Sequence, residues 1–121
     1  MSDPTEPFAG RSILVVEDEY LIALHLAAIL EGYRADVVGP VGNMEDALQL
    51  ARTTPKLDGA LLNIKLGSEL VFPVVDALEE RHVPFVFVTA YEWEAIPERY
   101  AHVPRFPKDP DLTRLAKEMF S

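Results

Sequence analysis

Apolar positions along the chain alternate between two spacings. Short, near-continuous runs at residues 13–16, 37–38, 60–62 with Ile64, 85–88 and, more faintly, 103–106 predict strands. Between them, apolar residues recur at helical intervals: Ile22, Leu26, Ile29 and Leu30; Met44, Ala47, Leu48 and Ala51; Val71, Val74, Val75 and Leu78; and Leu112, Leu115, Ala116 and Met119. Asn43, ahead of an acidic first turn, and Asp111, after an Asp-Pro step, are helix-start signals. The poorest helical pattern spans residues 92–100, where Pro97 either breaks the helix or fixes its first turn.

Strand and helix thus alternate five times. Strands that are apolar on both faces belong to a parallel sheet covered by helices on both sides, which predicts an α/β protein with a five-stranded, doubly wound, flavodoxin-like sheet. The fifth strand carries Pro104 and Pro107, which an edge position tolerates. Residues 12–121 are expected to form one domain with no second domain after it, and residues 1–11 a loose N-terminal tail.

Composition narrows the function. The chain has no cysteine, so disulfides and thiolate metal sites are excluded. Its 11 basic and 20 acidic residues give a net charge of −9 with no basic cluster, which argues against nucleic acid as a partner. The polar, proline-bearing start MSDPTEPFAGRS has no signal-peptide pattern and no run reaches membrane-spanning length, so a cytoplasmic protein without membrane contact is expected. Gly39, Gly42, Gly59 and Gly67 form no phosphate-binding loop. His25, His82 and His102 lack ligand spacing and read as surface or packing residues. No nucleophile is paired with a base, so the chain is not expected to be an enzyme.

Open parallel sheets bind ligands outside the carboxyl ends of their strands. Those ends present Glu17 and Asp18, then Asn63, then Thr89, then Lys108. Adjacent carboxylates suit a hard cation such as Mg2+, and a hydroxyl with an ammonium could hold a phosphoryl group from other directions. Each residue also has a plainer explanation: Asp18 as a helix cap, Asn63 as a turn former, Thr89 as a β-branched strand residue, Lys108 as a solvated charge. All of them falling on one edge of one sheet is what favours a site.

With those residues, the chain resembles the receiver domains of bacterial two-component response regulators. The matching segments are ILVVEDE, LDGALLNIKLG, PFVFVTAY and PRFPKD, over roughly residues 11–120. The fourth strand resembles the Phe-x-Phe-x-Thr-Gly/Ala-Tyr subgroup of single-domain regulators without an output domain. The resemblance implies strand order 2-1-3-4-5 and phosphorelay signalling with a histidine kinase or phosphotransfer protein, and possible contact with a downstream regulator. It implies an aspartate at the Asn63 position that takes a phosphoryl group. It also implies Mg2+ held by Glu17, Asp18, residue 63 and the Lys65 carbonyl, and phosphoryl binding by Thr89 and Lys108, with Thr89 acting as a switch.

The chain departs from that pattern at its centre. A carboxylate oxygen can attack phosphorus; the amide oxygen of Asn63 is neutral and a far poorer nucleophile. Phosphorylation at Asn63 is therefore not expected, and Mg2+ binding should be weak, since roughly one net negative charge remains where the family has two. Asn63 is compatible with a natural receiver that no longer takes phosphate, with an engineered Asp-to-Asn lock, or with transfer to Ser68 or Thr89, whose hydroxyls would need an activating base. Asp109 follows Lys108 where the family usually has proline, and Arg105 stands where many receivers carry an aromatic switch residue. Tyr91 could assume part of that role, and Trp93 in the same region could mark a partner surface. The alternative function is a phosphorylation-independent interaction module contacting partners through Tyr91, Trp93 and Arg105.

Overall fold

The computed structural model describes residues 6–89 and 96–120. Five parallel strands form one sheet: β1 (Ser12–Val16), β2 (Asp36–Val41), β3 (Gly59–Leu62), β6 (Phe85–Val88) and β7 (Arg105–Phe106), in the order β2-β1-β3-β6-β7. Between β3 and β6 lies a separate antiparallel hairpin, β4 (Lys65–Leu66) with β5 (Glu69–Leu70). Setting that hairpin aside, the order is the expected 2-1-3-4-5. The helices are α1 (Tyr20–Gly32), α2 (Met44–Thr53), α3 (Phe72–Glu80) and α4 (Leu112–Phe120).

Alternation along the strands divides the core between the two faces. Leu14, Val16, Ala60, Leu62 and Phe87 point toward α2 and α3, where they meet Ala47, Ala51, Val74, Val75 and Leu78. Ile13, Val15, Leu61, Val86 and Val88 point the other way and meet Leu26 and Leu30 of α1 and Leu112, Leu115 and Met119 of α4. The helical positions read from spacing are those facing the sheet. Gly59 opens β3 without a side chain because the tip of Met119 lies where its Cβ would be.

Both predicted caps form. The Asn43 side chain accepts from the Asp46 N–H at 2.8 Å, and Asp111 accepts from Thr113 at 3.0 Å. β2 is longer than its two predicted residues because Gly39 and Pro40 bulge outward, so that pairing passes from Leu14–Val38 to Val16–Val41. Gly39 has φ +93, and a Cβ there would come within 2.9 Å of the Val41 nitrogen. In the predicted fourth helix, the described residues form only a 3-10 turn, Glu98–Tyr100, with Pro97 extended ahead of it.

Residues 6–11 run against the domain rather than trailing from it. Phe8 is fully buried, edge-on to Tyr33 and Phe120, and the Arg11 guanidinium lies 4.0 Å from the centre of the Phe120 ring. The Asp36 N–H donates to the Arg11 carbonyl at 2.8 Å, which joins this segment to the start of β2.

Arg81, just past α3, donates to the Ala51 and Thr54 carbonyls at 2.7 Å each, satisfying the orphaned end of α2. Arg81→Met should cost about 2 kcal/mol in urea unfolding, the scale of charge-assisted hydrogen bonds lost to partly buried acceptors. A loss within about 0.5 kcal/mol would show that water serves those carbonyls equally well.

Candidate functional site

The carboxyl ends of β1, β3, β6 and β7 bring the predicted residues to one rim of the sheet. The Glu17 N–H donates to the Val41 carbonyl at 2.9 Å, the Asn63 N–H to Val16 at 2.8 Å, and the Thr89 N–H to Phe106 at 2.9 Å. Strand pairing itself therefore sets the relative height of these three residues. Glu17, Asn63 and Thr89 are the buried polar side chains among the described residues, an arrangement that requires internal partners.

Asn63 is the hub. Its Nδ2 donates to Glu17 Oε2 at 3.1 Å, to Asp18 Oδ1 at 3.1 Å and to the Lys65 carbonyl at 2.8 Å. Glu17 also accepts from the Glu19 N–H at 3.1 Å and forms an ion pair with Lys108. Asp18 Oδ2 accepts from the Gly67 N–H at 2.9 Å. Gly67 (φ +60) is the turn of the β4–β5 hairpin, which is how that short element is tied to the acidic pair.

Surroundings push the two carboxyls apart. Burial raises the Glu17 carboxyl above its ordinary range, and the hydrogen bond from Lys108 offsets this only in part. Asp18 also feels burial, but the Gly67 N–H and its other donors outweigh it and hold its carboxyl below the usual value. The plainer role for Asp18 does not occur. Glu19 is the cap residue of α1, with no side-chain cap bond, and both Asp18 oxygens are turned toward the pocket.

Lys108 reaches Glu17 without a proline after it. Asp109 instead meets His25 Nε2 of α1 at 3.3 Å, an exposed contact, and Pro110 is buried. The Lys65 side chain and Ser68 are exposed, and so is Arg105 on β7. Tyr91 and Trp93 lie outside the described residues.

Three groups converge on one point as hard-cation ligands would: Glu17, Asp18 and the Lys65 carbonyl. The fourth group does not fit, because Asn63 directs a donor nitrogen at them rather than an acceptor oxygen. Among the described residues, no cluster of three His, Cys, Asp or Glu side chains is placed to hold a metal.

Sequence reading missed three contributors. Gly42 lets the chain after β2 pass against the acidic turn, since a Cβ there would lie 3.2 Å from Asp18 Cα and from the Glu17 carbonyl. Gly67 supplies the backbone donor. Beside the acidic pair, Tyr20, Leu21 and Leu24 expose 74%, 78% and 44% of their surface, and an open cleft of about 280 Å3 runs between α1 and Pro40–Val41. The signal for this patch was in the sequence: α1 is apolar well outside its inward stripe, as helices with solvent-facing function can be.

No family model matches the chain. It is similar to SdrG from Sphingomonas melonis Fr1, whose solution structure superposes with a TM-score of 0.76 at 34% identity, over 90% of this chain and 92% of that one. The signal receiver domain of a modulated diguanylate cyclase from Desulfovibrio desulfuricans G20 also superposes at 0.76, with 27% identity and 90% of each chain covered. The phyllosphere-induced regulator PhyR of Methylorubrum extorquens is 37% identical over 93 residues, which is 75% of this chain and 33% of PhyR. The chain thus spans about a third of that curated relative. No described helix is long and apolar enough to cross a membrane.

Proposed function

Because the chain belongs to the receiver-domain family of response regulators, we propose that it is a receiver module of a two-component phosphorelay that takes no phosphoryl group at residue 63. One observation carries this reading. The residue at the hub of the acidic pocket is an amide whose nitrogen is bound to the acidic pair. Phosphoryl uptake needs an anionic oxygen at that point to attack phosphorus as the donor's leaving group departs. Asn63 offers a neutral one. Glu17, Asp18 and the Lys65 carbonyl would be the cation-binding groups of the family, and Thr89 and Lys108 the phosphoryl-binding ones. Here Lys108 is engaged by Glu17 instead.

Its partners would be a histidine kinase or phosphotransfer protein and a downstream regulator. The exposed Tyr20, Leu21 and Leu24 beside the pocket support protein contact at the rim. The same patch also favours the second reading, an interaction module that docks irrespective of phosphorylation.

Incubation with acetyl phosphate and Mg2+ followed by intact mass measurement tests the first reading. The chain should gain no phosphoryl increment, and Asn63→Asp should gain one. Labelling of the unaltered chain that persists in Ser68→Ala/Thr89→Ala would overturn it. Binding to a kinase that is indifferent to Asn63→Asp, acetyl phosphate and Mg2+ would favour the second.

A further inference from the structure

On the receiver reading, Glu17, Asp18 and the Lys65 carbonyl would be three ligands of one cation. In this chain all three accept from a single nitrogen, Asn63 Nδ2, at 3.1, 3.1 and 2.8 Å. A carboxamide nitrogen carries two hydrogens, so one of them is shared, and both are directed at the acceptors. The remaining carboxylate oxygens are also engaged. Glu17 Oε1 pairs with Lys108 and Asp18 Oδ2 accepts from Gly67. Every oxygen of the acidic pair therefore has an internal donor.

Mg2+ sits about 2.0–2.1 Å from its oxygen ligands, so an ion drawing on these three groups would need the space the amide nitrogen holds. Resting on the receiver reading, we infer that Asn63 is a built-in occupant of the cation position. Its amide completes the pocket without a divalent ion and must turn aside before one can enter. The weak Mg2+ affinity that the resemblance implies then has a steric and hydrogen-bonding cause in addition to the lost charge.

These two causes predict opposite results for Asn63→Ala. An amide that merely contributes a neutral oxygen would help a cation, and its removal would weaken binding. An amide that blocks the position would hinder the cation, and its removal would strengthen binding. An unblocked fraction of about a tenth or less weakens apparent affinity at least about tenfold relative to an open pocket. Calorimetric titration of the full chain with magnesium chloride should therefore give a Kd for Asn63→Ala at least about tenfold lower than for the unaltered chain. Equal or weaker binding by Asn63→Ala overturns the inference.

The Asn63 carboxamide proton pair supplies a second readout that needs no variant. In the unaltered chain it should exchange slowly with solvent and stay unmoved by magnesium chloride at low millimolar concentration. A pair that exchanges freely, or that shifts at low millimolar magnesium, overturns the inference. Failure here is separable from failure of the receiver reading. Magnesium binding by the unaltered chain as tight as by Asn63→Ala, without acetyl phosphate labelling, removes the plug alone, whereas labelling at residue 63 removes the reading beneath it.

Discussion

Lys108→Met is expected to cost up to about 3 kcal/mol at pH 7, and almost nothing near pH 4.5. Glu17 is fully enclosed, its side chain 1% exposed, and Lys108 is 16% exposed. Methionine fills much of the lysine's volume and removes the charge, leaving a buried carboxylate without its cation, a change that typically costs several kcal/mol. The loss has a ceiling, because Glu17 can take a proton instead. Holding a carboxyl of ordinary pKa 4.5 protonated at pH 7 costs about 1.4 kcal/mol per pH unit, or about 3 kcal/mol in all.

The sign follows from the same shift. Burial already raises Glu17 in the folded protein, and losing Lys108 raises it further. A carboxyl whose folded pKa lies above its unfolded value carries no penalty below 4.5, and a growing one as pH rises toward the folded pKa. Urea unfolding of both proteins from pH 4.5 to 7 should therefore show a gap that widens with pH. At the upper end the melting temperature should fall by up to roughly 10–15 °C. Adding Glu17→Gln should recover part of the loss at pH 7, since no buried charge is then left. A gap that is constant across pH would mean that lost packing, rather than an unpaired Glu17, causes the destabilisation.

Phe8→Ala should be comparably damaging, at about 3–4 kcal/mol, although the residue precedes the first strand. The ring is fully buried at the end of the α1–α4 face, edge-on to Tyr33 and Phe120. Its removal opens a cavity lined by residues that β1, α1 and α4 hold in place and that cannot readily close over it. Phe8→Leu should lose less than half as much. A cost for Phe8→Ala within about 0.5 kcal/mol would return residues 6–11 to the status of a tail.

Phe8 also shows where sequence reading gave out. Strands and helices were legible because each repeats a period over several residues, and burial imposed that period. Ile13 and Val15 face one layer, Leu14 and Val16 the other. A lone aromatic in PTEPFAG has no period. The β4–β5 hairpin, two residues per strand, is too short to show one.

The site was legible to the same extent. Strand ends placed Glu17, Asp18, Asn63, Thr89 and Lys108 together because the doubly wound topology requires it. Which atom of Asn63 faces the acids could not be read, since that depends on the Lys65 carbonyl and on the hairpin that positions it. Nor could the contact beside Lys108, because His25 and Asp109 meet across 84 positions of sequence.

The two outermost strands have a bearing on how copies of this chain could meet. β2 is interrupted by Gly39 and Pro40, and β7 is two residues long between Pro104 and Pro107. A missing N–H at each margin denies a neighbouring molecule the unbroken ladder that templated strand addition needs. The sheet thus ends in two blunted borders that discourage fibrous stacking.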